Sequence, residues 1–192
     1  MPRTKEFDEA EVLDRALDIF RARGFKHTSF SDLTDGLGVN RQSLYDTYGD
    51  KQTLFITALR RYTDRMVDTL GRKLDPSREV RDDLRQLLEG MIEANCGNGS
   101  PGCLMVNSMV EQGPHDPETR TLAQAHARAL EGILAGRLKA AQDKGEIGQK
   151  KDVVALAHFI MHLMLGLSVA SRAFGRREDL LQTVGLALQA LD

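Results

Sequence analysis

The stretch SFSDLTDGLGVNRQSLYDTYGDK, from Ser29 to Lys51, decides the fold that we expect for this chain. It predicts a short helix, a tight turn at Gly38, a second short helix and the start of a third. Five apolar side chains can form one seam between these helices: Leu33, Leu37, Val39, Leu44 and Tyr48. Polar groups between these anchors stay on the opposite face. A helix-turn-helix needs this division, because its second helix is held by an apolar face and presents a polar face to a DNA groove.

Helical periodicity continues through the rest of the chain, and no stretch shows the sustained alternation of a strand. We predict an all-α fold with about nine helices: 7–23, 29–37, 41–47, 51–73, 78–95, 103–111, 117–143, 151–174 and 177–190. Residues 1–50 are expected to form a three-helix DNA-binding domain, with the helix-turn-helix over about 29–48. Residues 51–192 are expected to form a C-terminal helical domain for ligand binding and dimerisation.

Local capping signals mark several of these helix starts. Ser29 and Asp32 have the spacing of a capping box, in which each side chain bonds to the backbone of the other residue. Asn40, Asp50 and Ser77 are expected to cap the helices that begin just after them.

The composition limits the class of DNA binder. The chain has 192 residues, 41% hydrophobic and 28% charged, with a formal net charge of −2. Residues 1–61 contain ten Lys or Arg and ten Asp or Glu, so the predicted DNA-binding part is also neutral. A globally basic nucleic-acid binder is therefore excluded. Specific binding would depend on geometry, on two paired copies and on the placement of a few charges.

The second helix of the motif carries the side chains that suit base reading. Arg41, Gln42 and Ser43 lie at its N-terminal end, where a recognition helix meets base edges. Arginine pairs with guanine and glutamine with adenine in the major groove. Further side chains can reach phosphates: Ser29, Ser31, Tyr45, Thr47 and Lys51.

The run DRALDIFRARGFKHTSFSDLTDGLGVNRQSLYDTYGDKQTLF resembles the N-terminal domain of the TetR family of bacterial transcriptional repressors. The resemblance rests on Arg-Gly-Phe after the first helix, Thr-Ser before the second, Gly38-Val39-Asn40 at the turn, Leu44-Tyr45, and Gly-Asp-Lys-x-x-Leu from Gly49 to Leu54. Tyr48 stands where that family usually has phenylalanine. The match covers about residues 8–60, and the remainder is similar only in size, helix number and helix order.

The resemblance implies DNA contact by Arg41, Gln42, Ser43, Tyr45, Thr47, Lys51, Ser29 and Ser31. It also implies a homodimer through the helices at about 151–174 and 177–190, and a palindromic operator. The sequence agrees, because these helices offer more apolar surface than one small body needs: Val153, Leu156, Ala157, Ile160, Leu163, Met164, Leu167, Val184, Leu188 and Leu191. Small residues such as Gly166 and Gly185 would permit close helix approach.

Cys103 opens a helix just after Gly102, and a helix N-terminus favours the thiolate form of cysteine. The segment Gly102-Cys103-Leu104-Met105 resembles the same place in a TetR branch that includes sensors of electrophiles or oxidants. The structural alternative is a small apolar residue at a packing position. The two cysteines, Cys96 and Cys103, do not form a disulfide framework.

The signal that such a regulator senses is less well defined. A small-molecule pocket could be lined by Met91, Met105, Met109 and Phe159, although the same residues suit an ordinary core. His158 and His162 have a spacing that can hold a metal, but no acid nearby completes a ligand set. The segment Gly97–Gly102 matches G-x-G-x-x-G without a preceding strand, so we interpret it as a helix connection. We predict no cofactor and no metal.

The long apolar run from Val153 to Ala170 is near the length of a membrane span. It contains His158 and His162 and shows a helical stripe, so we predict a buried helix and no membrane association. The N-terminus has no apolar run typical of a signal peptide, and we expect a cytoplasmic protein. Together these features predict a transcriptional regulator, most simply a repressor released by a small molecule or a stress signal. The alternatives are a helical thiol or metal enzyme using Cys103 and a histidine, and a protein-binding adaptor.

Overall fold

The structure is a computed structural model that describes residues 7–96, 102–174 and 176–192. Within these residues the chain forms nine α-helices, a terminal 3-10 helix and no strand, so the all-α prediction is confirmed. The helices are α1 (Glu9–Arg23), α2 (Phe30–Leu37), α3 (Arg41–Tyr48), α4 (Lys51–Lys73), α5 (Val80–Asn95), α6 (Leu104–Glu111), α7 (Pro117–Asp143), α8 (Val153–Phe174) and α9 (Arg177–Ala187), followed by the 3-10 helix Leu188–Leu191. Most of the glycine-rich segment, 97–101, lies outside the described residues.

Local side-chain caps set the ends of the N-terminal helices as predicted. The Ser29 hydroxyl accepts from the Asp32 backbone N–H at 3.0 Å, and the Asp32 carboxylate accepts from the Ser29 N–H at 2.8 Å. Asn40 caps α3 and Asp50 caps α4. Gly38 ends α2 with φ 67° in the left-handed region, which glycine adopts without a Cβ penalty.

The start of α5 differs from the prediction. Ser77 does not cap this helix, because its N–H and hydroxyl both donate to the Asp75 carboxylate, at 2.9 and 2.7 Å. The helix begins at Val80, whose backbone N–H donates to the Glu146 carboxylate at 2.7 Å. A residue far along the chain therefore provides the cap that the local sequence does not.

Two hydrophobic cores organise the molecule. The N-terminal core combines α1, α2 and α3 with the first half of α4 and with residues of α6 and α7 such as Leu104, Met105 and Leu122. The C-terminal core combines the end of α4 with α5, α7, α8, α9 and the 3-10 helix. The packing of the N-terminal core thus crosses the domain boundary that we predicted at residue 50, and that boundary stays a prediction.

Helix α8 lies in the C-terminal body, against α5 and α7. The segment Val153–Ala173 is long and apolar enough to cross a membrane, but core helices of soluble proteins pass the same test. Ala157, Ile160 and Leu167 on one side of α8 are buried in the C-terminal core. This packing agrees with the prediction of a core helix.

Candidate DNA-binding site

Helices α2 and α3 form the predicted helix-turn-helix around Gly38. Leu33, Leu37 and Leu44 are buried, which fixes α3 against α2 through its apolar side. The opposite side of α3 is exposed and carries Arg41, Gln42, Tyr45 and Asp46. The residues that we predicted for base reading therefore share an accessible helix face, except that Ser43 is half-buried.

Aromatic rings flank the arginine at the start of α3. The ring of Phe30, the first residue of α2, stacks on Tyr45 of α3 with centroids 4.1 Å apart and planes inclined by 12°. The guanidinium carbon of Arg41 lies 5.8 Å from the Phe30 centroid and 5.6 Å from the Tyr45 centroid. Both distances are within the range of a cation–π interaction.

Gln42 interacts with Asp46 one helical turn further on. The Gln42 amide nitrogen donates to the Asp46 carboxylate at 2.7 Å, an i to i+4 pair on the exposed face. This bond directs the donor of Gln42 toward Asp46. An adenine contact that uses the amide as a donor would require this pair to open.

Two of the predicted hydroxyl contacts, Ser29 and Thr47, already have partners within the protein. Ser29 donates to the Asp32 carboxylate at 2.6 Å, and Thr47 donates to the Ser43 carbonyl at 2.9 Å. The hydrogen bonds from Ser29, followed by the ion pair with Arg23, lower the pKa of Asp32. Ser31 is exposed at the start of α2. The phosphate contacts of these residues stay predictions.

Lys51, at the start of α4, is tied to the loop between α1 and α2. Its ammonium donates to the carbonyls of Phe25 and Thr28, at 3.0 and 2.9 Å, and lies 4.1 Å from the Phe25 ring centroid. These contacts stabilise the loop that precedes the helix-turn-helix. DNA contact by Lys51 stays a prediction, and it would compete with these bonds.

The same loop is held from the other side by α6. The Glu111 carboxylate accepts from the backbone N–H groups of Phe25 and Lys26, at 2.9 and 2.6 Å. The guanidinium of Arg21 donates to the Gly102 carbonyl at 2.6 Å. The DNA-binding helices are therefore bonded directly to α6 and to the residue that precedes Cys103.

Asp14 ties α1 to α4. Its carboxylate accepts from Arg61 at 2.8 Å and from Arg65 at 2.7 Å. The hydrogen bonds from Arg61 and then Arg65 lower the pKa of Asp14 to about 2. This ionised carboxylate and two arginines join the first helix to the long helix that runs into the C-terminal core.

Cys103 borders a cleft between the DNA-binding helices and the body. The cleft has a volume of about 560 Å³ and is lined by the end of α1, by α6 and by the end of α8. Cys103 precedes α6, is half-buried, and accepts a hydrogen bond from the Tyr62 hydroxyl with an O to S distance of 3.6 Å. Burial, and then the neighbouring Cys103, raises the pKa of Tyr62.

The other residues of the predicted ligand pocket lie apart from one another. Met105 and Met109 pack in the N-terminal core, whereas Met91 packs against the C-terminal core. Phe159 is exposed on the outside of α8. The structure thus brings no common pocket together from these four residues, because their helices face different cores.

The apolar surface that we assigned to dimerisation is used within the chain. Seven of the ten residues are buried in the C-terminal core, and the other three, Val153, Leu156 and Leu163, are partly buried against it. The homodimer through these helices stays a prediction. A second stripe of α8 is exposed and includes Phe159, His162, Gly166 and Val169, which we name the α8 outer face. Leu186 of α9 is 67% exposed.

His158 and His162 are both exposed on α8. His158 lies 3.8 Å from the Glu131 carboxylate. Over residues 7–96, 102–174 and 176–192, no three His, Cys, Asp or Glu side chains are grouped as metal ligands.

Comparison with known sequences gives the family. The profile of "Bacterial regulatory proteins, tetR family" matches residues 12–58. The profile of "Tetracyclin repressor-like, C-terminal domain" matches residues 80–184. The chain belongs to the TetR family. The first profile covers the helix-turn-helix, and the second covers most of the C-terminal body of this TetR-family protein.

Individual relatives span the whole chain. The HTH-type transcriptional regulator YezE of Bacillus subtilis is 34% identical over 100% of both proteins. The HTH-type transcriptional repressor ComR of Escherichia coli is 30% identical over 97% of this chain and 90% of its own length. A cysteine-substituted variant of the TetR-family regulator CifR, solved with a 26-bp operator DNA, is 28% identical with a TM-score of 0.86 over 99% of this chain and 100% of its own.

This TetR-family protein is therefore a DNA-binding transcriptional regulator and not an enzyme. The thiol or metal enzyme and the protein-binding adaptor that we considered are not favoured. Sequence reasoning missed Phe30 and Glu111. The partners of Phe30 lie in α3 and those of Glu111 in the loop between α1 and α2, both outside their own helices. Only the aromatic character of Phe30 at a helix start was visible in the sequence.

Proposed function

We propose that this protein is a homodimeric repressor that reads a palindromic operator with α3 and releases it in response to a small molecule or a stress signal. The observation that carries the proposal is the exposed polar face of α3, with Arg41 at its start, on a helix whose apolar side is buried. The operator complex of the CifR variant and the repressor function named for ComR support it. Such a regulator would act in the cytoplasm.

Dimerisation is proposed through the α8 outer face and the exposed side of α9. The exposed α8 residues follow spacings of three and four, so they lie on one stripe of the helix. At Gly166 a Cβ would meet no atom within 4 Å, which leaves room for a close helix neighbour. Phe159 and Val169 supply exposed apolar surface on this stripe, and exposed apolar patches mark protein interfaces.

Release follows from a population shift of this dimer. In one arrangement the two α3 helices match the half-site spacing, and in the other they do not. Moving a population from 1:99 to 99:1 requires about 5.5 kcal/mol of differential binding. A signal at the cleft could act on this spacing, because the cleft borders both α1 and α6.

DNA selection tests this function. We expect a random DNA pool to yield a palindromic consensus, with affinity that falls steeply as salt rises. Arg41→Ala should cost about 1–3 kcal/mol and relax specificity at one position of each half-site. Arg60→Ala, on the exposed side of α4, is the matched control and should keep the specificity. If the protein binds random duplex as tightly as any selected fragment, the proposed function is wrong.

The oligomeric state is tested separately. Phe159→Glu places a charge on the α8 outer face, and we expect light scattering to show monomers at micromolar concentration. Met66→Glu, an exposed apolar position of α4, is the control and should leave the dimer intact. A wild-type protein that is monomeric at the same concentration would contradict the interface.

A second proposal concerns the signal. We propose that Cys103 is an electrophile or oxidant sensor, because its thiol borders the cleft between α1, α6 and α8. Addition to an activated alkene such as a maleimide would form a bond from Sγ to one alkene carbon as the C=C π bond breaks. The thiol proton is lost to solvent, and the other alkene carbon takes up a proton from solvent. The adduct would then occupy the cleft next to the Arg21 bond to the Gly102 carbonyl.

The test compares wild type with Cys103→Ser. A maleimide should release wild-type protein from DNA and leave the Cys103→Ser variant bound. Cys96→Ser controls for the second half-buried cysteine and should respond as wild type does. Equal release of all three proteins would assign Cys103 to packing.

A further inference from the structure

Phe30 occupies a position where helix formation does not require an aromatic residue. It is the first residue of α2, and Ser29 and Asp32 already satisfy the capping box. Its half-buried ring touches the edge of the N-terminal core, but Phe20, Phe25 and Phe55 form a separate aromatic cluster. The stacking partner of Phe30 is instead Tyr45, on the exposed face of α3.

The Arg41 guanidinium lies next to both rings. The guanidinium carbon is nearly equidistant from the two centroids, at 5.8 and 5.6 Å, and the centroids are 4.1 Å apart. A point with these distances lies to the side of the line between the two centroids, so the guanidinium reaches both rings but lies over the face of at most one. Tyr45 is one helical turn from Arg41 and Phe30 approaches from α2, so two helices hold one guanidinium.

Within the described part of the chain, no carboxylate forms an ion pair with Arg41. The aromatic rings are therefore the groups that orient it. A carboxylate would occupy the N–H donors that a guanine needs, whereas a ring contact leaves those donors for the base. A side chain that is already oriented also loses less conformational entropy when it binds.

We propose that Phe30 is a specificity-determining positioning residue, which acts through Tyr45 to hold the Arg41 guanidinium in the orientation that reads a base. The inference rests on the proposed reading of DNA by Arg41 and adds a residue that does not itself need to touch DNA. An aliphatic residue at position 30 would fill a similar volume but would offer no aromatic quadrupole to Arg41 or Tyr45.

The test is a double-mutant cycle on DNA. Phe30→Leu and Arg41→Ala are made singly and together, and each protein is titrated with the selected operator and with a copy that is substituted at the base pair read by Arg41. Phe30→Leu should reduce the discrimination between these duplexes about two- to fivefold, as expected for an exposed cation–π contact. It should leave the salt dependence unchanged, because no charged contact to phosphate is removed. In the Arg41→Ala background, Phe30→Leu should have no further effect on discrimination.

Two controls separate positioning from folding. Phe7→Leu makes the same change at another half-buried residue that packs against the N-terminal core, and it should keep full discrimination. Phe30→Tyr retains the ring and should also keep it. In the DNA-free protein, the ¹⁵N order parameter at Arg41 Nε should fall in Phe30→Leu and stay at the wild-type value in Phe7→Leu.

Two results would overturn the proposal. One is unchanged discrimination in Phe30→Leu with an equally ordered Arg41 side chain. Another is a loss of discrimination that persists at full size in the Arg41→Ala background, which would show a defect of the core. Failure of the proposed function gives a different result, because the wild-type protein would then bind selected and random duplex equally well. In that case the positioning role of Phe30 would be wrong as well.

Discussion

Replacing Glu111 tests whether α6 holds the loop that leads into the helix-turn-helix. The Glu111 carboxylate accepts from Phe25 N–H at 2.9 Å and from Lys26 N–H at 2.6 Å. It also passes close to Gly24, where a Cβ would lie 3.0 Å from the carboxylate oxygen and φ is +81°. We expect Glu111→Gln to release this loop locally without unfolding the protein, because the two cores are otherwise unchanged.

The magnitude follows from the two bonds. A hydrogen bond to a charged group contributes about 1.5–3 kcal/mol. The glutamine amide keeps one oxygen that can accept from one of the two backbone N–H groups, but it places its NH₂ group toward the other N–H. Lys26 is exposed, so water can accept from its backbone N–H and replace part of the lost hydrogen bond. We therefore expect a net local cost of about 1.4 kcal/mol, which corresponds to a tenfold change in the opening equilibrium.

Amide hydrogen exchange measures this change at single residues. In Glu111→Gln the amides of Phe25 and Lys26 should exchange about tenfold faster, whereas the core amides of α5 should be unaffected. Glu93→Gln is the matched control, because it removes a surface pair with Arg177 far from the loop. Unchanged exchange at both loop amides in Glu111→Gln would refute the idea that α6 holds the loop.

Three further changes probe the supports of this architecture. The pKa of Asp14 is about 2, below its ordinary 3.8, so its contribution to the free energy of unfolding is present above pH 4 and is lost as pH falls through about 2. Because Asp14 and its partners are partly exposed, we expect this contribution to be less than about 1 kcal/mol. The urea midpoints of wild type and Asp14→Asn should therefore converge between pH 4 and 2. Asp83→Ala leaves the buried Arg137 without its carboxylate at 2.7 Å and should lower the free energy of unfolding by about 3–5 kcal/mol in urea titrations. A Cβ at Gly113 would lie 2.5 Å from a backbone oxygen, which cannot move aside easily, whereas a Cβ at Gly36 would lie 2.7 Å from a side-chain methyl, which can. Gly113→Ala should therefore lower Tm more than Gly36→Ala does.

The sequence predicted those parts of the fold that depend on neighbouring residues. The bounds of α4 and α7 and the caps at Ser29, Asn40 and Asp50 follow from local hydrogen bonds and glycine turns, and the structure confirms them. The start of α5 depends on Glu146, which the fold brings back to Val80. No pattern within α5 could reveal that partner.

The helix faces were harder to predict than the helices. Helix α8 is apolar on most sides, so its periodicity could not separate the side in the C-terminal core from the α8 outer face. Helical spacing alone allowed Met91 of α5 and Met105 and Met109 of α6 to line one pocket. In the structure α5 packs in the C-terminal core and α6 in the N-terminal core, so these side chains lie apart. The sequence could place Arg41 on the exposed face of α3, but it contained no sign of the Phe30 contact across the turn.

The position of α6 has a consequence for how a signal could reach α3. Leu104 and Met105 of α6 are buried in the same core as Leu33 and Leu44 of the helix-turn-helix, and Glu111 at the end of α6 holds the loop before α2. A displacement of α6 therefore acts on the DNA-binding helices directly and does not need to pass along α4. Cys103 lies at the start of α6, and the cleft runs along this helix as far as Glu111 and the loop residues Gly24 and Lys26. A molecule bound in the cleft would therefore lie against the loop that Glu111 holds.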